Sequence, residues 1–510
     1  MSCVIGIDGG TESVRAQIFD PAGHCKASAS QPYDTRFAAG ARAEQDPEDW
    51  WRSLGLAVRK AMKGAGIARD AVDALSLATT CCTVVALDDK ARPLRPAILW
   101  MDVRAEAEAA ATLATEDRAL QVNGAGQGPV SAEWMIPKAL WIARHEPQVF
   151  ARATTICEFQ DFMNLRLTGR RCASLNNVTI RWHYSTERDG YPTTLVEMLH
   201  LEPLLEKWPS EVLAPGEVVG ALTAEAAEHL GLGQHVKVIQ GGADAFIGMP
   251  GLGVAQPGQL ALMTGSSHLL LGVSYHPMSA NGLWGSYANA VYPGRHIIEG
   301  GQTSTGSIVN WLKKLAGGDF DLAALNTQAA KLEPGCDGLL VLDHFQGNRT
   351  PYVDALSRGA FIGLTLSHGL PHLFRAVIEG ICFGSKIILD QMAQAGFIAN
   401  EITVGGGATA SDLWLQIHAD TTGLPISVPE VSAAPSLGAA ILAAVGVGHF
   451  ASIDDGIAQM VRAGRTIVPL PENVARYKEL FESYAALYPA LRPFNRARSS
   501  ERAVPHSRNK

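Results

Sequence analysis

Apolar and polar positions alternate most clearly at the start of the chain. Val4, Ile5 and Ile7 run into Asp8-Gly9-Gly10-Thr11-Glu12-Ser13, and apolar residues resume at Val14, Ala16, Ile18 and Phe19. This pattern predicts two strands joined by a turn, and residues 4–30 read as two or three antiparallel strands with Pro21-Ala22-Gly23 as a second turn. The period then lengthens. Residues 44–63 carry Trp50, Trp51, Leu54, Leu56, Val58 and Met62 behind Asp46-Pro47, an N-cap followed by proline at the first helical position. Short apolar runs at 74–78, up to Leu87 and at 97–100 predict strands, and helical signals dominate from Arg104 to about Ser185, including 134–145 and 159–167. A mixed stretch closes with a short helix at 223–230, and an apolar strand at 236–240 arrives at Gly241-Gly242-Ala243-Asp244-Ala245.

The opening pattern then recurs. Residues 260–263 run into Thr264-Gly265-Ser266-Ser267, and apolar residues resume at 269–273. A long insert follows, then a helix at 308–315, a strand at 402–404 entering Gly405-Gly406-Gly407, and helices at 413–422 and 436–445. Each copy opens a long α/β segment, so the chain divides near 248–256, where Met249-Pro250-Gly251-Leu252-Gly253 and Pro257-Gly258 cluster. The expected domains are 1–250, 251–490 and a basic tail, 491–510.

Composition narrows the classes. With 510 residues, 47% hydrophobic and 18% charged, there is material for large cores. A net charge of −8 removes the electrostatic case for nucleic acid or an anionic membrane surface. The basic cluster Arg492, Arg496, Arg498, Arg502, Arg508 and Lys510 reads as a frayed terminus. Eight scattered cysteines show no metal-ligand spacing and fit reduced thiols in a cytoplasmic protein. No charged segment and apolar core precede Val4, so no signal peptide is expected. The uncharged run at 431–453 is broken by Pro435, Gly438, Gly446 and Gly448 and reads as a buried helix plus loop rather than a membrane span.

Three motifs carry chemistry. Glycines and hydroxyls in the two turns bring N–H and O–H donors to phosphate oxygens, whereas Asp8 suits a hydrated Mg²⁺ beside them; an ordinary Asp-Gly hairpin is the alternative. Asp244 ends an apolar strand behind two glycines, as a base toward an attacking hydroxyl or as a helix cap. Gly405-Gly406-Gly407-Ala408 lets a flat ring or a phosphate approach the backbone. No Walker Gly-x-x-x-x-Gly-Lys, Gly-x-Gly-x-x-Gly, protein-kinase set or His-Glu-x-x-His is present.

With these motifs stands a further segment, Gly359-Ala360-Phe361-Ile362-Gly363-Leu364 followed by His372-Leu373-Phe374-Arg375-Ala376-Val377-Ile378-Glu379, and then Leu437-Gly438-Ala439-Ala440. Together they resemble the FGGY carbohydrate kinases of the actin, hexokinase and Hsp70 superfamily, over roughly residues 3–450. The resemblance implies an α/β fold of two ribonuclease-H-like domains with an interdomain cleft, ATP and Mg²⁺ as cofactors, Asp244 as general base and Asp8 as the metal-holding carboxylate. It implies ATP and phosphate contacts from Gly10, Thr11, Glu12, Ser13, Arg15, Thr264, Gly265, Ser266, Gly306, Asn310, Gly406, Gly407 and Ala408. Ser131-Ala132-Glu133-Trp134-Met135-Ile136-Pro137-Lys138, Trp100-Met101-Asp102-Val103-Arg104 and Gly347-Asn348-Arg349-Thr350-Pro351 resemble the ribulokinase-like branches. Cys81-Cys82-Thr83 replaces the Arg-Glu pair of glycerol kinases. Cys82, Thr83, Asp102, Arg104, Glu133, Trp134, Asp161 and Asp244 are the expected sugar-side residues, with bland readings open for Arg104 (surface ion pair), Glu133 (helix cap), Trp134 (core) and Asp161 (helix start). Arg15 stands where the family usually has lysine, and 431–435 lacks the acidic residue that often precedes the Leu-Gly-Ala-Ala helix.

The expected activity is ATP-dependent phosphorylation of a ketopentose, ribulose first, at its terminal hydroxyl. Alternatives are xylulose, a polyol such as erythritol or ribitol, and, in another class, a non-catalytic actin- or Hsp70-like protein. The expected partner is a small-molecule sugar, without nucleic acid or membrane, and homodimerisation stays open.

Overall fold

The computed structural model describes residues 2–122, 130–188, 190–318, 321–431 and 433–502. Two mixed sheets carry the architecture. In the first, β1 (Cys3–Gly9), β2 (Ser13–Phe19), β3 (Cys25–Pro32), β4 (Val72–Thr79), β5 (Val218–Ala221) and β6 (Lys237–Ala243) lie in the order β5-β6-β4-β1-β2-β3. In the second, β7 (Gln259–Thr264), β8 (His268–Ser274), β9 (Trp284–Ala288), β10 (His296–Gln302), β11 (Glu401–Gly406), β12 (Ile426–Val428) and β13 (Arg465–Ile467) lie in the order β9-β10-β8-β7-β11-β12-β13.

The repeat read from the two turns is a repeat of topology. β1 pairs antiparallel with β2 and parallel with β4, as β7 pairs antiparallel with β8 and parallel with β11. β3-β2-β1-β4-β6 therefore matches β10-β8-β7-β11-β12. The stretch read as an insert after residue 273 holds β9 and β10, with β10 completing the second antiparallel trio. A smaller five-stranded sheet (36–38, 42–45, 97–98, 84–87 and 155–158 in that order) sits beside the first and carries the segments expected to face a sugar. Its strand Thr155–Glu158 lies inside the region read as helical. Four residues with a charged end are too few to show a period.

The helices that position the site are α1 (Pro47–Ala65), α2 (Met135–His145), α3 (Phe159–Thr168), α4 (Asp244–Gly251), α5 (Gly306–Leu315), α6 (Leu370–Gln394), α7 (Ala434–Gly446) and α8 (Pro471–Arg502). α1 starts as predicted, with the Asp46 carboxylate accepting the Glu48 N–H at 3.0 Å and Pro47 in the first turn. α7 is the buried helix expected in the uncharged run, and no helix of the described residues is long and apolar enough to cross a membrane. α8 corrects the reading of the C-terminal segment as frayed from residue 491, because the backbone is helical to Arg502. Tyr477, Tyr484 and Tyr488 bury one side of α8 and seed it, and the helix continues past Pro489 and Pro493. Arg508 and Lys510 lie outside the described residues.

α7 follows six of the second sheet's seven strands in the chain yet packs on β1 and on α4. Glycines make this possible. A Cβ at Gly6 would lie 1.8 Å from the Ser436 carbonyl oxygen, and one at Gly438 would lie 1.7 Å from that of Ile247. One apolar cluster accordingly holds residues of both halves, among them Ala78, Trp134, Phe246, Trp284 and Leu437.

Candidate active site

Asp8 and Asp244 stand at the ends of two parallel strands, β1 and β6, that flank β4. Asp8 is the penultimate residue of β1, opposite Arg15 on β2 and Ala78 on β4, while Asp244 follows β6 as the first residue of α4. The Ala245 N–H donates to Asp244 Oδ1 at 2.7 Å, a contact with a helix start that favours the carboxylate. Burial and the nearby Asp8 charge outweigh it and push the Asp244 carboxyl up to about 7. Burial lifts Asp8 too, against Arg15. Tyr33 completes the group: its hydroxyl donates to the Gly10 carbonyl, and burial with the charges of Asp8 and Asp244 keeps it protonated.

The 10–13 turn closes a hairpin in which Gly9 pairs with Val14, and Gly10 N–H donates to the Ser13 carbonyl at 3.0 Å. Thr11 and Ser13 are half-buried, whereas Glu12 and Arg15 are exposed. In the second half, Thr264 is the hub. Its hydroxyl donates to the Gly405 carbonyl at 2.7 Å and accepts the Ala408 N–H at 3.0 Å. Gly406, at φ 92°, turns there with its Cα against the Thr264 carbonyl, and a Cβ would lie 1.9 Å from that oxygen. α5 docks its first turn on the same hairpin: Gly306 N–H donates to the Gly265 carbonyl at 3.2 Å, and Ser307 N–H to that of Ser266 at 3.2 Å. Thr264, Gly265, Ser266, Gly306, Gly406, Gly407 and Ala408 thus form one surface, with Gly265, Ser266, Gly406 and Gly407 exposed and Asn310 exposed one turn along α5.

The two groups are neighbours through α4. One helical turn after Asp244, Gly248 abuts the Met263 side chain, and Met263 directly precedes Thr264. A turn of helix rises about 5.4 Å, so Asp244 lies about that far along α4 from the helix's contact with the residue preceding the Thr264 hairpin.

The expected sugar-side residues come together differently from the reading of them as open contacts. Asp102 is fully buried: it accepts the Ala43 N–H at 2.7 Å and forms a two-pronged pair with Arg104 at 2.9 and 2.6 Å. Burial alone would lift its pKa, but the guanidinium and the N–H groups hold it below the usual range. Arg104 bonds Glu44 at 2.8 Å and covers the Trp141 ring, rather than pairing with a surface glutamate of its own helix. Asp161 caps α3, with its two oxygens accepting the Glu158 and Ser174 N–H groups at 3.0 Å each. Burial pushes its carboxyl up to about 8. Trp134 is buried, edge-on to Trp284 of the other half. Cys82 and Thr83 are buried in the turn after β4, while Glu133 and Cys81 are half-buried. Asp102 and Arg104 bond each other, and Asp161 is held by backbone N–H groups.

Five groups without a sequence-derived role support the wall these residues form. Lys138, wholly buried on α2, donates to the Cys82 carbonyl at 2.7 Å and the Leu99 carbonyl at 2.5 Å. Glu158 accepts the Cys82 N–H at 2.9 Å and the Trp182 Nε1–H at 2.6 Å. Arg181 bonds Glu299 across the two halves at 2.9 Å, and Arg349 pairs with the same carboxylate. A charge inside an apolar run, as in Met-Ile-Pro-Lys138-Ala-Leu and Ile-Ile-Glu299-Gly, is the signal that could have flagged them. The eight cysteines are free thiols, and no cluster of three or more His, Cys, Asp or Glu groups suited to a metal occurs among the described residues.

The family model for the N-terminal domain of FGGY carbohydrate kinases matches residues 3–251, and the one for the C-terminal domain matches 260–447. An FGGY carbohydrate kinase domain-containing protein of Danio rerio is 31% identical, covering 95% of this chain and 97% of its own. A ribulokinase of Shouchella clausii is 32% identical over 95% and 94%. The solved xylulose kinase of Rhodospirillum rubrum superposes with a TM-score of 0.85 at 30% identity, covering 97% of this chain and all of that one. Two matched domains and relatives spanning almost the whole chain, on a duplicated fold with carboxylates and glycine turns at its seam, lead to one assignment: the chain belongs to the FGGY family of carbohydrate kinases, phosphotransferases with an alcohol group as acceptor.

Proposed function

We propose that this kinase transfers the γ-phosphoryl group of ATP to the terminal hydroxyl of a ketopentose, with ribulose as first candidate and Asp244 as the base. One observation carries the reading: a carboxylate at the start of α4 with a second carboxylate nearby, one helical turn from the contact of α4 with Met263, the residue before the Thr264 hairpin. A carboxyl poised at about 7 accepts a proton near neutrality. The sugar O–H proton passes to Asp244 as the oxygen bonds to phosphorus and the bond to the ADP oxygen breaks.

The phosphate chain is assigned to the donors of Gly10, Thr11, Ser13, Thr264, Gly265, Ser266 and Gly306, with Asn310, Gly406, Gly407 and Ala408 toward the nucleoside. Glu12 and Arg15 flank the first turn, where the exposed Arg15 guanidinium serves as the phosphate-side cation in place of lysine. Asp8 and Asp244 are two half-buried oxygen-donor carboxylates opposed by one arginine charge, a donor set that fits a hard divalent cation. Asp8 would hold Mg²⁺ there, and the ion when bound neutralises phosphoryl charge. Glu133 and Cys81 offer the sugar its half-buried contacts, while Asp102, Arg104 and Asp161 fix the shape of the wall.

The relatives named ribulokinase and xylulose kinase both point to a pentulose, and the 30% identical solved xylulose kinase keeps xylulose as the second reading. Asp244→Asn tests the chemistry. Turnover should fall roughly 10²- to 10⁴-fold with ATP affinity kept within about threefold. Turnover near wild type would remove the base role, and joint loss of ATP binding would mark a folding defect. ADP release measured across D- and L-ketopentoses, tetruloses and pentitols identifies the acceptor; activity confined to pentitols would overturn the ketopentose assignment.

A further inference from the structure

Two neighbouring thiols stand in the turn after β4. Successive side chains of an extended chain point to opposite faces. Here the chain turns at Cys82, at φ 61°, and the Cys82 sulfur lies 3.7 Å from that of Cys81. The turn is clamped along its length. The Thr80 N–H donates to the Gly9 carbonyl at 3.0 Å, and the Thr80 and Thr83 hydroxyls are 3.2 Å apart. Glu158 accepts the Cys82 N–H at 2.9 Å, and the Lys138 ammonium donates to the Cys82 carbonyl at 2.7 Å. The backbone therefore keeps the two sulfurs together.

The two thiols are not equivalent. Cys82 is buried, whereas Cys81 is half-buried and within reach of a small reagent. Arg181 is close enough for its charge to act on both sulfurs, and a nearby guanidinium favours a thiolate. At Cys82 that pull loses: burial above all, with Cys81 and Glu158, pushes its thiol up and keeps it protonated. Cys81 is thus the thiol that reacts first, with a protonated thiol beside it.

We propose that Cys81 and Cys82 form a redox modification site: hydrogen peroxide joins them in a disulfide that disables the sugar wall, and a dithiol reopens it. The Cys81 thiolate attacks one peroxide oxygen. The S–O bond forms, the O–O bond breaks, and the departing hydroxide takes up the proton that Cys81 released, giving water. The Cys82 sulfur then attacks the sulfenic acid sulfur. The S–S bond forms, the S–O bond breaks, and hydroxide leaves as a second water with the Cys82 proton. The two thiols lose two electrons and the peroxide gains them. Bonded sulfurs are about 2.05 Å apart, so a side chain must rotate to close the gap. Cys82 is clamped and buried, so Cys81 swings away from the sugar contact assigned to it. That consequence rests on the ketopentose kinase reading above. Neighbouring Cα atoms are about 3.8 Å apart, less than a disulfide usually spans, so the bond is readily reduced.

Trypsin releases both cysteines, and no other, in the peptide 70–90. After limiting hydrogen peroxide and then an alkylating agent, the wild-type protein should yield this peptide unalkylated and two hydrogens lighter than its reduced form. Dithiothreitol before alkylation should return it doubly alkylated. Cys82→Ser should leave Cys81 as a sulfenic acid that dimedone traps, and Cys81→Ser should give neither a bridge nor an adduct at Cys82. In the wild type the bridge should raise the sugar KM about fivefold and keep the ATP KM within twofold, with dithiothreitol restoring the sugar KM. A doubly alkylated peptide after peroxide, or a Cys81 sulfinic acid in place of the bridge, would overturn the site. A bridge with an unchanged sugar KM would overturn its control of the sugar. The masses are read without turnover. A wild-type protein lacking sugar-dependent ADP release therefore overturns the kinase reading alone, and the bridge is judged on its peptide.

Discussion

Burial moves the titratable side chains of this protein in opposite directions. It pushes the Asp244 carboxyl up to about 7 and holds the His418 imidazole down at about 4, because the uncharged form wins in both. Neutral His418 lies between the Cys382 sulfur and the Ser385 hydroxyl, each 3.2 Å from a ring nitrogen, with the His268 ring tilted against it at 5.7 Å. The sign follows from proton counts. Between pH 6.5 and about 4 the unfolded chain binds a proton at this site that the folded one refuses, so the stability due to neutral His418 is lost as pH falls through that window. The slope approaches roughly 1.4 kcal/mol per pH unit. His418→Gln should flatten the decline of melting temperature between pH 6.5 and 4 relative to wild type, even though the buried carboxyls Glu158 and Asp161, raised to about 7 and 8, contribute with the opposite sign in both proteins. Equal slopes would refute the assignment.

Among the elements, α7 decides whether the two sheets meet. Its sequence, Ala434–Gly446, is almost wholly small and apolar, and backbone oxygens of neighbouring elements stand where side chains would be. At Gly438 a methyl would meet the Ile247 carbonyl at 1.7 Å, and a carbonyl inside α4 cannot rotate away without breaking the helix. Gly438→Ala should therefore destabilise by about 3 kcal/mol, at the upper end for overpacking, with an unchanged m-value in urea. It should also lower turnover in excess of the stability loss, since α4 carries Asp244. α1 shows the contrary case. Its cap, proline and apolar stripe are local, and they were readable as a helix start without any partner. The strand Thr155–Glu158 and helix α8 were not: the first is too short for a period, and the second takes its stability from tyrosines buried against other elements.

For the molecule as a whole, the seam is polar as well as apolar. Glu299 from the second sheet is fully buried between Arg181 of the first half and Arg349, and Arg349 sits 3.5 Å from the centre of the Trp284 ring. Burial would raise the Glu299 carboxyl, but the two guanidinium groups outweigh it and keep it ionised. Removing one partner of a buried pair leaves charge unpaired and costs about 3–5 kcal/mol. Glu299→Gln should lower the calorimetric unfolding temperature by several degrees and separate the transition into two, because the contact it loses joins the halves. A single transition at the wild-type temperature would show that apolar packing alone holds the seam.

Local order along the chain was enough for the hairpin turns, the start of α1, the buried run that becomes α7 and the motifs of the family. Each depends on residues close together in sequence: a glycine pair beside a carboxylate, a proline behind a cap, a run of small apolar side chains. What only the tertiary structure decided was which polar groups remain free. Asp102, Arg104 and Asp161 have the composition of a sugar site, yet they are satisfied by Ala43, Glu44, Glu158 and Ser174. The pairing of Trp100 with Thr11 and of Arg181 with Glu299 spans 89 and 118 residues. Hydrogen bonds saturate, and saturation is a property of neighbours in space. A sequence states what each side chain can donate or accept, and the fold determines what it has left to offer a substrate.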